Sequence, residues 1–259
     1  AGGGDFAKNR LKEIEPKYLT PAISALTQSR ERNLESSAFL DGLIAFYRGD
    51  YDAAIEYANA ALKDAPWLYE AHKLVGDVHL QRALRAYDRK QPEESIREFS
   101  LAAKYYDAAI EIGPSDTALY EGLAEIGIRL GYTLFDSGKT TETSYRQAMA
   151  ASQKLLITDP GSIVAPLKKA FAAVTALSAL PSGEPPGKYH QQCLADATTV
   201  LQREPGNPYA SDLAANCLAM SASDARSHGK DRSQQLRRAI SMMEPVLQTH
   251  PHFLWGVQD

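Results

Sequence analysis

Cysteine is scarce: 259 residues hold two, Cys193 and Cys217, at no short metal-binding spacing. That count suggests neither a disulfide framework nor a zinc site, and it fits a reducing, cytoplasmic setting. Long apolar runs are missing too. The most apolar stretch, Ala170 to Leu180, falls well short of the roughly 18 residues a bilayer span requires. The amino end, Ala1-Gly2-Gly3-Gly4, lacks a charged-then-apolar signal pattern and reads as a linker or a cloning remnant. Nor is there an excess of positive charge. With 28 Lys and Arg against 32 Asp and Glu the chain carries −4, which argues against nucleic acid and acidic membranes as partners. What is present is ordinary globular material: 44% hydrophobic residues, enough to bury a sizeable core.

The chain is too long for one compact core of usual size, so either two domains or an elongated repeat array is expected. Its prolines favour the array. Pro66, Pro114, Pro160, Pro205 and Pro251 are spaced 48, 46, 45 and 46 residues apart. Twelve residues before each stands Ala54, Ala102, Ala148, Cys193 or Ala239, residues small enough to let helices approach closely. Just before each comes an apolar pair: Ala61-Leu62, Ala109-Ile110, Leu155-Leu156, Val200-Leu201 and Val246-Leu247. This is the pattern of a helix whose last turn points inward and which proline then stops. A first helix precedes each of these, over about Pro21 to Arg48, Trp67 to Arg89, Asp116 to Asp136, Ile163 to Leu180 and Asn207 to Arg226. The turns inside the pairs carry breakers: Gly49-Asp50, Gln91-Pro92, Ser137-Gly138, Pro181 to Gly187, and His228-Gly229. Thr20 before Pro21 reads as a helix start, and Pro245 falls inside a helix that it should kink.

Residues 42–66, GLIAFYRGDYDAAIEYANAALKDAP, resemble a tetratricopeptide repeat through Gly42, the Gly49-Asp50-Tyr51 turn, Ala54, Ala61-Leu62 and Pro66. In the next unit His72, Val75, Gly76 and His79 occupy the W-x2-L-G-x2-Y frame, and Ala102, Tyr106 and Pro114 its A-x3-F and closing proline. Later units keep the small residue, the pair and the proline but lose the glycine and aromatics. The family's repeat is about 34 residues and this one about 46, so elongated hairpins are expected, with about two extra turns per helix in the second unit. Pro181 to Lys188 should take up part of the excess in a loop. The resemblance implies an all-α solenoid of about five antiparallel hairpins forming a superhelix, in one domain with units near 17–66, 67–114, 115–160, 161–205 and 206–251. Phe6 to Glu15, ending at Pro16, looks like the tail of a truncated hairpin. Phe253-Leu254-Trp255 looks like the opening of another helix, so the chain is expected to be part of a longer protein. Pro66 to Leu74 also resembles helical repeats attached to bacterial signalling kinases.

Several residues invite chemistry and are better explained without it. Gly138-Lys139-Thr140 ends like a phosphate loop, but Gly131 is too far upstream and a helix precedes it. His72 and His79 share a helix face with Asp77 nearby, yet both sit where the family places packing aromatics, so core histidines are expected and not metal ligands. Cys193 occupies a small-residue slot and reads as a buried inert thiol; His190 supplies it no catalytic role. Glu93-Glu94 are first-turn charges suited to a helix dipole. The basic stretch Arg226 to Arg238 reads as a solvated loop and helix face. No cofactor, metal or catalytic set is expected.

What the resemblance implies instead is a protein-interaction scaffold that holds a peptide or partner segment in a concave groove. The alternative is a regulatory or substrate-docking segment of a bacterial signalling kinase, whose kinase domain would belong to the same polypeptide. Carried over by alignment, the groove positions are Phe39, Leu43, Tyr47, Lys73, Asp77, Gln81, Glu121, Glu125, Arg129, Leu167 and Phe171. They lack the lysine and asparagine set with which some family members clamp a terminal carboxylate, so an apolar-anchored extended or helical segment fits better.

Overall fold

The computed structural model describes residues 12, 14–31, 36–180, 187–227 and 231–249. Among these residues a π-helical turn at Glu15–Leu19 is followed by eleven α-helices: α1 (Thr20–Glu31), α2 (Ser37–Tyr47), α3 (Tyr51–Asp64), α4 (Tyr69–Asp88), α5 (Pro92–Ile112), α6 (Thr117–Asp136), α7 (Glu142–Thr158), α8 (Val164–Ser178), α9 (Gly187–Arg203), α10 (Pro208–Ser227) and α11 (Ser233–Thr249). No strand occurs among the described residues. From α2 onward the helices form five antiparallel pairs. The chain divides into two compact units. Unit 1 runs to Arg85 and takes in Arg97–Pro114, and unit 2 takes in Ala86–Ile96 and the chain from Ser115 onward.

Small residues set the closest approaches. Ala54, Ala102, Ala148 and Cys193 are fully buried and Ala239 nearly so. A Cβ on Gly42 would lie 3.4 Å from the Ala54 carbonyl oxygen, and one on Gly76 would lie 3.4 Å from that of Ala102 and 2.6 Å from the Tyr106 ring. In the third pair the same role falls to Gly127, whose Cβ would meet the Ala148 backbone nitrogen at 2.9 Å. The position aligned with Gly42 and Gly76 is Ala124 in this unit, and the close approach is made by Gly127, about one helical turn further along α6. The inner members of the apolar pairs, Ala61, Ala109, Leu155, Val200 and Val246, are all buried.

Helix ends follow local chemistry. Ser36, Asp50 and Asp116 cap α2, α3 and α6, accepting from the backbone N–H groups of Phe39, Ala53 and Ala118. Three pairs turn on a residue in the left-handed region, at Gly49, Lys90 and Gly138. Each makes the same two closing bonds; at Lys90 these are Lys90 N–H to the Tyr87 carbonyl and Gln91 N–H to the Ala86 carbonyl, both 2.9 Å. Lys90, with φ of 59°, stands where the other two turns use glycine. Relief of that backbone strain outweighs the exposed contact of its ammonium with the Tyr87 ring. Lys90→Gly is therefore expected to stabilise the fold by about 0.5 kcal/mol, read as a higher urea midpoint.

Some expectations change. Pro21 to Arg48 is not one helix, because α1 ends at Glu31 and a new helix starts after the Ser36 cap. Thr20 is the first residue of α1 but not an N-cap: its φ and ψ are helical and its N–H bonds the Glu15 carbonyl, so the π-turn runs on into α1. Pro16 ends nothing among the described residues: it lies within the π-helical turn Glu15–Leu19, with helical residues on both sides of it. Pro245 does lie inside a helix, α11. The second pair has the elongated form, with 20 residues in α4 and 21 in α5, whereas α2 and α3 have 11 and 14. Residues 1–11 and 250–259, with Phe6 and Phe253-Leu254-Trp255, lie outside the described residues, as do 181–186 and His228-Gly229.

The cysteines give the largest correction. Cys193 of α9 and Cys217 of α10 are joined as a disulfide, with Cα atoms 6.5 Å apart. Stacking consecutive pairs brings together residues that have no motif spacing in the sequence. The expectation that the two cysteines form no disulfide is therefore not met. No described helix is long and apolar enough to cross a membrane.

Candidate functional site

In unit 2 the first helices of three successive pairs, α6, α8 and α10, lie side by side. Their facing sides enclose a cavity of about 330 Å³. From α6 come Glu125, Ile128, Arg129 and Tyr132, and from α8 Val164, Leu167, Lys168 and Phe171. Both sets follow three- and four-residue steps, so each is one stripe of its helix. Tyr209, near the start of α10, closes the third side.

The walls are aromatic and aliphatic, and the charge is concentrated at one carboxylate. Glu125 receives Arg129 Nε at 2.6 Å and Lys168 Nζ at 2.5 Å. Burial pushes the Glu125 carboxyl up, but the attraction and hydrogen bond of Lys168, joined by those of Arg129, hold it below the usual carboxylate range. Two cations against one anion leave the groove with a net positive charge, and Lys168 has donors beyond the one Glu125 accepts. Because the folded-state pKa is depressed, this cluster stabilises the fold above the unfolded carboxylate value of about 4.3. The contribution is lost as pH falls through the lower folded value. Glu125→Gln is therefore expected to be less stable than wild type at pH 7 and to show a flatter loss of stability below about pH 4, measured by urea midpoints across pH.

The positions inferred by alignment fall in both units. Glu125, Arg129, Leu167 and Phe171 line the unit 2 cavity, while half-buried Glu121 lies one turn before Glu125 outside its lining. In unit 1, Phe39 is a core residue packed with Leu74 and Val75, and Leu43 packs against the same cluster. Tyr47 is exposed and Gln81 half-buried. Lys73 and Asp77 engage each other at 2.8 Å, and Asp77 also accepts the Tyr106 hydroxyl at 2.5 Å. They belong to the α4–α5 packing as much as to any groove.

Sequence reasoning missed Lys168, Tyr132 and Tyr209. Tyr209 and Val164 both stand four residues after their proline, one turn ahead of the aligned stripe, so extending that stripe toward the helix start would have found them.

His72 and His79 both pack beside Tyr105. His79 Nδ1 lies 2.7 Å from a buried Glu98 carboxylate oxygen, and its ring stacks on Tyr105. The His72 ring lies 6.5 Å from the Tyr105 ring, tilted to it, and burial pushes its pKa down. Among the described residues no group of three or more His, Cys, Asp or Glu is placed to hold a metal ion.

Successive antiparallel helix pairs, three of them crossing at a glycine, decide the architecture. The fold is tetratricopeptide-like. No family model matches the chain, and no curated protein does. Among solved structures it is similar to the MamA protein at 15% identity and TM-score 0.49, over 86% of this chain and 97% of that one. It is also similar to YrrB, described as a TPR protein with an unusual peptide-binding site, at 13% identity and TM-score 0.49, over 88% and 94%. TTC0263, a TPR protein of Thermus thermophilus, is similar at 16% identity and TM-score 0.44, over 80% and 98%.

Proposed function

We propose that the chain is a non-catalytic interaction scaffold that takes a protein or peptide segment in the unit 2 groove. The observation that carries this reading is the cavity itself. Three first helices present aromatic and aliphatic walls around a charge cluster with cationic excess, which suits a segment with apolar anchors and an acidic neighbour. A role beside a signalling kinase domain rests on the Pro66–Leu74 resemblance alone, and no groove residue favours it.

The test is capture of partners by the purified chain, followed by affinity measurement on variants. Arg129→Glu with Tyr209→Ala changes exposed groove side chains and should keep the helical circular dichroism while weakening a captured partner by about tenfold or more. Lys73→Glu with Gln81→Ala is the comparison in unit 1. Loss of binding in that variant alone would move the site to unit 1, and wild-type affinity in both would remove the groove assignment.

A further inference from the structure

The second helix of every pair repeats two apolar positions, eleven and four residues before its proline. In α3 they are Ile55 and Leu62, in α5 Ala103 and Ile110, in α7 Met149 and Leu156, in α9 Leu194 and Leu201. All eight are half-buried. Where packing is resolved, their cover is the following first helix. Ile55 and Leu62 pack on the cluster that includes Ala71, Leu74 and Val75 of α4, and Leu194 and Leu201 on the one that includes Leu213 and Ala214 of α10.

In α11 the same positions are Ile240 and Leu247, and they are 59% and 41% exposed. Together with half-buried Leu236 and Met243 they form a stripe at steps of four, three and four residues, a helix-pairing seam. The inward face is made by Ala239 and Val246, with Ala239 clustered on Ala215 and Leu218 of α10, and half-buried Met243 reaches that same cluster from the inner edge of the stripe, leaving Ile240 and Leu247 as its exposed members. So α11 carries a second apolar stripe at the positions that pack toward a following helix in α3 and α9.

Charge identifies the occupant. Arg237 and Glu244, both exposed, flank the stripe on one side, seven residues apart. When two such helices run antiparallel about a two-fold axis, Ile240 meets Met243 of the other helix and Leu236 meets Leu247. Arg237 then comes beside Glu244 of the other helix, twice over. Both the apolar seam and the flanking charges are self-complementary, which is what an isologous contact requires.

We propose that the outer stripe of α11 is a self-association seat, on which α11 of a second copy of this chain packs antiparallel. A single-helix seam is small, so the dimer is weak, with a midpoint in the micromolar range. Sedimentation equilibrium of the 259-residue chain should show mass rising with concentration toward twice 28.3 kDa. Ile240→Glu with Leu247→Glu should stay monomeric, with unchanged helicity and melting midpoint because both sites are exposed. Arg237→Glu or Glu244→Arg alone should each weaken the dimer by about tenfold, and the two together should restore it. That restoration does not depend on whether the glutamate variant folds. A chain that is monomeric at every concentration overturns the proposal, whether the stripe is then covered by residues 250–259 or by a foreign partner. So does a dimer indifferent to all four changes.

Discussion

Gly127→Leu is expected to destabilise unit 2 by about 3 kcal/mol, a large effect for a substitution that improves intrinsic helix propensity. The obstruction begins at the first carbon. A Cβ at this position would stand 2.9 Å from the Ala148 backbone nitrogen, 3.0 Å from the Ala148 Cβ and 3.0 Å from the Ser144 carbonyl oxygen. Those atoms belong to the backbone of α7 or are fixed to it, so no rotamer change makes room and the two helices must separate. Gly138→Ala is the informative comparison. Gly138 has φ of 66° and nothing within 4 Å of its Cβ site, so that change costs only backbone strain, about 1 kcal/mol. Urea unfolding followed by circular dichroism reads both. If Gly127→Leu leaves the midpoint where it is, α6 and α7 do not cross at this glycine.

Removing the disulfide should cost a similar amount. Cys193 and Cys217 are 24 residues apart, and freeing a loop of that length in the unfolded chain corresponds to about 3 kcal/mol. Cys193→Ala with Cys217→Ala is a fair probe, because alanine is the residue that the earlier second helices place where Cys193 stands. A reductant should bring the wild-type urea midpoint down to that of the double variant and leave the variant unaffected. Thiol labelling in denaturant without reductant should find no free cysteine. Two labelled thiols, with a midpoint indifferent to reductant, would show that the pair does not form.

The repeat was legible because a residue type was tied to a position each time. A proline must follow a helix end, a small residue must sit at a crossing, and one apolar residue must close the last turn, so the period survives even where the rest of the sequence drifts. Gly127 escaped because a crossing needs a small residue opposite Ala148 but does not dictate the turn of α6 that supplies it. The disulfide escaped for a related reason: it joins consecutive pairs, and adjacency between pairs leaves no short spacing. The groove was half legible. Leu167 and Phe171 were reached by counting from the proline, whereas Lys168, one residue on from Leu167, was not distinguishable from a solvated lysine until α6 placed Glu125 against it. Phe39 went the other way. Its aligned position promised an open wall, but α2 and α3 are short and the side chain serves their packing.

That shortness bears on how the molecule breathes. Helices of 11 and 14 residues are at or below the length that holds in water unaided, so α2 and α3 are ordered by what they rest on, chiefly the Ala71, Leu74 and Val75 surface of α4. Releasing them breaks one apolar interface, a few caps and the half-exposed contacts Arg30–Asp41, Arg82–Asp52 and Arg85–Tyr51, whereas α4 and α5, at 20 and 21 residues, hold each other through the buried His79–Glu98 contact and the Tyr106 ring against Gly76. The amino-terminal pair is thus a foldon of its own, able to open and exchange its amide protons while the α4–α5 pair stays closed. Between the two pairs of unit 1, a protease or a chaperone would meet α2 and α3 before α4 and α5.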